Sequence, residues 1–79
     1  MKNYVAIFWR GNPQLANGGY YTASPATGKS IETVTRRLQN PKTAYGTMSL
    51  INVMPAEEYQ GPELGTYGTK LSQEEYDNL

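Results

Sequence analysis

The chain has no cysteine and no histidine. The first absence excludes a disulfide scaffold, a zinc finger and a thiol nucleophile. The two together remove the side chains most often used as nucleophile or general base, and no serine has an evident base beside it, so catalysis is disfavoured. Aspartate occurs once, as Asp77, and phenylalanine once, as Phe8. Long apolar runs are also missing. The longest, Tyr4 to Trp9, is far too short to cross a bilayer and lacks the small-residue cleavage site of a signal peptide, so a cytoplasmic location is expected. Apolar residues make up 38% of 79 residues. That is enough for one small domain with little apolar surface to spare.

What is present is charge, and it is sorted by position. Lys2, Arg10, Lys29, Arg36, Arg37 and Lys42 face a single acid, Glu32, in residues 1–45, for a net of +5. Glu57, Glu58, Glu63, Glu74, Glu75 and Asp77 face a single base, Lys70, in residues 46–79, for a net of −5. The overall charge of zero hides two opposed halves. A cationic half rich in aromatic residues points to an anionic partner, and an acidic tail can shield it or bind a second surface.

Residues 3–10 read as a strand of β-branched and aromatic side chains, with Val5, Ile7 and Trp9 on one face and Tyr4, Ala6 and Phe8 on the other. Apolar on both sides, it belongs at the centre of a sheet. Asn12-Pro13 and Asn17-Gly18-Gly19 mark a hairpin turn. Residues 20–24 read as the second strand, broken at Ser24-Pro25. Ser30 is placed to cap a helix over about 31–40, in which Ile31, Val34 and Leu38 share one stripe and Glu32 and Arg36 are spaced to pair. Asn40-Pro41 stops it. Residues 47–54 read as the third strand. Further on, residues 56–61 and 73–78 both resemble short helical turns with acids at their N-terminal ends. The second carries a capping box, Ser72 with Glu75, and Leu71 and Tyr76 are spaced as a hydrophobic staple. Residues 61–69 read as a loop or a weak edge strand.

These elements predict an α+β fold: a small three-stranded antiparallel sheet of order 2-1-3 in a ββαβ arrangement, with one helix packed on one face. Residues 1–55 form this core, and residues 56–79 form an acidic, partly ordered C-terminal segment with one or two short helical turns. The helix is expected to leave Tyr4 and Phe8 on the open face, where a second copy, the tail or a partner would cover them.

The stretch Ala23 to Ser30 loosely fits a phosphate-binding loop, with a strand before it and a helix after it. Pro25 removes an N–H from the cradle, no strand ends in an aspartate to hold magnesium, and such enzymes need roughly twice this length. The stretch therefore reads as a turn and a helix cap. Spacing of the Glu57-Glu58 and Glu74-Glu75 pairs matches no metal loop, so neither a metal nor a cofactor is expected.

The expected protein is thus a non-enzymatic interaction protein that binds a partner protein through two surfaces. A basic face holds Arg10, Lys29, Arg36, Arg37 and Lys42. An acidic tail holds Glu57, Glu58, Glu63, Glu74, Glu75 and Asp77. Tyr4, Phe8, Tyr20, Tyr45 and Tyr67 are candidate aromatic anchors, while Trp9 and Tyr21 are assigned to the core. Tail carboxylates can imitate nucleic-acid phosphates and block a basic groove, which makes an inhibitor of a nucleic-acid-handling complex one expectation. Small phage-encoded inhibitors, anti-CRISPR proteins among them, share this size and layout, but no motif carries the comparison. The alternative is direct nucleic-acid binding by the basic half, with the tail as an autoinhibitory cover. A homodimer through the open sheet face is a third possibility.

Overall fold

The computed structural model describes residues 1–11, 19–39, 48–65 and 68–79. The expected hairpin turn at Asn12 to Gly18, the helix stop at Asn40-Pro41, and Lys42, Tyr45 and Tyr67 lie outside the described residues.

Strands β1 (Lys2–Gly11) and β2 (Gly19–Gly28) are followed by helix α1 (Ile31–Leu38) and strand β3 (Met48–Pro55). A 3-10 turn (Ala56–Glu58), strand β4 (Thr69–Leu71) and helix α2 (Gln73–Asp77) complete the described chain. The fold is α+β, and every pairing in its sheet is antiparallel. The inner order is as expected, with β1 between β2 and β3, but the sheet has four strands, in the order β3-β1-β2-β4. The fourth comes from the acidic segment. Three residues carry too little alternation to read as a strand; β4 exists because Tyr21, Thr22 and Ala23 of β2 offer it an edge.

Two further expectations change. Strand β2 does not break at Pro25. It continues to Gly28, with Pro25 opposite Val5. β4 covers only Tyr21–Ala23, so Pro25 lies on the uncovered part of that edge, where a missing N–H costs no ladder bond. The stretch that resembles a phosphate-binding loop is therefore mostly extended strand.

The two faces of β1 are also exchanged. Tyr4, Ala6 and Phe8 lie under α1, in one cluster with Val34 and Val53, and Tyr4 and Phe8 are only 6% and 1% exposed. Periodicity cannot choose between two apolar faces. A local fit supports this side: a Cβ at Gly28 would lie 2.5 Å from Val34 Cγ2, so the glycine lets the helix approach the sheet.

The opposite face, with Val5, Ile7 and Ala23, is covered by the C-terminal segment. Leu71 is buried there, and Tyr59, Leu64, Tyr76 and Leu79 pack around it. Tyr76 stacks on Tyr21 at 3.9 Å between ring centroids, and Trp9 meets Tyr21 edge-on at 4.8 Å. The expected capping box is formed: Ser72 Oγ accepts from the Glu75 N–H, and Glu75 Oε1 accepts from the Ser72 N–H. The acidic segment is thus the second layer of the core rather than an appendage.

A register shift between Ile7 and Phe8 alters β3. Regular alternation would put Leu50 and Val53 on opposite faces. With the shift, both pack in the α1-side cluster, and Ile51 is left 44% exposed.

Leu71→Ala is expected to cost about 2–5 kcal/mol, a large part of the roughly 4–12 kcal/mol a domain of this length has. Urea unfolding followed by tryptophan fluorescence checks it; a loosely attached tail would give almost no change. Tyr59, whose hydroxyl donates to the Pro62 carbonyl at 2.8 Å, has its pKa raised by burial and, less, by the Glu75 carboxylate. The neutral phenol is favoured in the folded state, so its contribution is complete below pH 10.0 and is lost as pH rises through the folded value. Tyr59→Phe should therefore show a shallower loss of stability above about pH 10 than the parent chain, measured by urea midpoints across that range.

Candidate charged interaction surfaces

The strand period places the cations. Lys2 and Arg10 fall on the same side of β1 as Tyr4, Ala6 and Phe8, the α1 side. Tyr20 is opposite Arg10, and Lys70 is opposite Thr22, which also put both on that side. The Arg10 guanidinium lies 6.0 Å from the Tyr20 ring centroid and Lys70 Nζ lies 4.9 Å from it. Three neighbouring strands thus bring two exposed cations onto one half-buried ring. The ring's negative face offsets their mutual repulsion and leaves the guanidinium and the ammonium group open to an anion.

The rest of the expected basic face does not form one patch. Lys29 lies in the turn before α1, at the opposite end of the strands from Arg10. Ser30 caps α1 by accepting from the Thr33 N–H at 3.2 Å. Arg37 reaches towards β2 and donates to the Thr27 carbonyl at 2.9 Å, whereas Arg36 lines the groove between α1 and β3. Adjacent residues on a helix point about 100° apart, so a double arginine is split between its two flanks.

Among the expected anchors, Tyr4 and Phe8 are core residues and present no surface to a partner. The dimer imagined through them has no exposed ring to use. Tyr20 is the one expected anchor that the described residues place beside cations. Trp9 and Tyr21 pack on the tail side, half-buried.

The acids lie elsewhere. Glu63, Glu74, Glu75 and Asp77 belong to the segment that covers the Val5–Ile7 face, and Glu57 and Glu58 sit where the chain leaves β3. Glu75 is committed to the capping box, and Asp77 accepts from the Gln73 side chain at 3.0 Å. Glu57, Glu58, Glu63 and Glu74 are exposed. The tail does not lie over Arg36 and Arg37; its apolar side chains hold it on the other side of the sheet.

Among the described residues, no group of three or more acidic side chains is placed to hold a metal ion, and no helix is long and apolar enough to cross a membrane. Sequence reasoning missed Lys70, the lone base of the acidic half. No local signal marks it, because β4 is three residues long and is ordered by its pairing with β2. No protein-family model, no curated protein and no solved structure matches this chain.

The paired substitution Arg10→Ala/Lys70→Ala should release the protein from a heparin column at clearly lower salt than the parent, with a thermal midpoint within a few degrees of it. Lys2→Ala/Arg36→Ala, which removes the same two charges elsewhere, should shift elution far less. Equal shifts for both variants would mean that net charge, and not this cluster, governs anion binding.

Proposed function

We propose that this chain is a non-enzymatic interaction protein that binds a partner protein through oppositely charged surfaces on the two sides of its sheet. The observation that carries the reading is the separation itself. Lys2, Arg10, Arg36, Arg37 and Lys70 project from the α1 side, while the carboxylates of the C-terminal segment ride on the layer that covers the opposite side. The core holds Glu63 and Glu74 across the sheet from Arg10 and Lys70, while Glu57 shares a pocket with Lys2 and Glu32 shares one with Arg36. Across the sheet, each sign can then meet its own complement. Exposed Glu57, Glu58, Glu63 and Glu74 are spaced along one irregular segment, which suits imitation of a phosphate backbone. Inhibition of a nucleic-acid-handling protein is the role we favour for that surface.

A second reading is direct nucleic-acid binding, favoured by the Arg10–Tyr20–Lys70 cluster. The ring holds two cations close together at the surface, where they can contact neighbouring phosphates. The tail is no cover in this reading, because it packs on the other side.

Deleting residues 56–79 does not separate these readings, since it removes β4 and uncovers Val5 and Ile7. Charge reversal does. Capture from a nuclease-treated lysate of the native host should recover a protein partner with the parent chain and lose it with Glu57→Lys/Glu58→Lys/Glu63→Lys/Glu74→Lys. Recovery that disappears on nuclease treatment, and with Arg10→Ala/Lys70→Ala, would instead establish the second reading.

A further inference from the structure

Apolar exposure on this molecule is concentrated in one place. Apart from Met1, the large hydrophobic residues left exposed among the described residues are Ile31 and Ile51, at 39% and 44%. Both line a groove of about 500 Å³ between α1 and β3, whose floor includes Leu50 and whose rim carries Glu32, Arg36 and Asn52. Ile51 is exposed because of the register shift in β3, and Ile31 because it is the first residue of α1, at the end of the stripe it shares with Val34 and Leu38.

β3 is an edge strand, but its backbone is closed to a further strand along its second half. Asn52 Oδ1 accepts from the Val53 N–H at 2.9 Å, and Pro55 has no N–H to offer. Along that half an occupant of the groove docks through side chains and not by extending the sheet. The groove is also electrically balanced on a side of the molecule that is otherwise cationic. It carries one acid and one base, one helical turn apart. A strongly charged partner meets repulsion from one of them. A copy of the same surface, turned by a two-fold axis, sets Glu32 against the partner copy's arginine and Arg36 against its glutamate.

We infer that the α1–β3 groove is the interface of a two-fold homodimer, in which each copy buries the other's Ile31 and Ile51. Of the charged surfaces assigned above the interface uses Arg36 alone; Arg10, Lys70 and the tail acids stay outside it.

Sedimentation velocity and light scattering between about 10 μM and about 1 mM, at low salt, test it on the full chain. The molar mass is expected to rise from 8.8 kDa towards twice that value. Ile51→Lys should hold it at one chain throughout, and Ile31→Gln, a milder change that retains the fold, should weaken association about tenfold. Glu32→Arg and Arg36→Glu should each weaken it, and the two together should restore it. A parent chain that stays at one-chain mass at the highest concentration overturns the inference. So does a dimer indifferent to both isoleucine variants, or a double charge swap no better than its singles.

Discussion

The structure depends on one constraint: β1 is apolar on both faces and must be covered twice. Among the described residues, two pieces of the chain do it. Helix α1 supplies Val34 and Leu38 for the Tyr4–Phe8 side, and the C-terminal segment supplies Leu71, Tyr76 and Leu79 for the Val5–Ile7 side. Neither layer is optional, because an uncovered central strand would expose several large side chains to water. The charges travel with the layers. The cationic helix lies on one side and the acidic segment on the other because each carries the apolar residues that its side of the sheet needs.

Much of this was legible in the sequence. The double-sided apolarity of Tyr4–Trp9 placed β1 in the centre, Ser30 and the Ile31–Val34–Leu38 spacing placed α1, and Ser72 with Glu75 placed α2. These signals are local: each needs only the side-chain period or a capping contact three residues away. What failed was non-local. Which face of β1 takes the helix depends on the β1–β2 register, which sets Gly28 opposite Lys2, together with the fit of Val34 at Gly28. β4 has no strand signature of its own and is ordered by its neighbour. Pro25 is a breaker by type, yet it sits in β2 where no donor is required.

The candidate surfaces follow the same division. Composition and position identified Arg10 and Tyr20 separately, but only the β1–β2 register sets one opposite the other, and only β4 adds Lys70. The sequence spacing of Arg36 and Arg37 implied a joint patch that helix geometry divides. Tyr4 and Phe8 show the reverse case. A ring on a strand with two apolar faces is ambiguous until both covering layers are known, and here the helix takes the rings that had been left for a partner.

Lys70 bears on the physical question of polarity more than any other side chain. In the sequence it is the exception, one base among six acids. In the fold it ceases to be one. Alternation along β4 turns Leu71 and Thr69 towards the covered face and Lys70 to the other, so the same pairing that buries Leu71 delivers the lysine to the cationic side. Hydrophobic burial and charge sorting are therefore a single event in this segment: any register that sinks Leu71 beside Ile7 also lifts Lys70 beside Tyr20. Slipping β4 by one residue would expose the leucine and bury the ammonium group, two penalties that act in the same direction. At this position the sorting of charge is enforced by the core and not by pairing between the charges themselves.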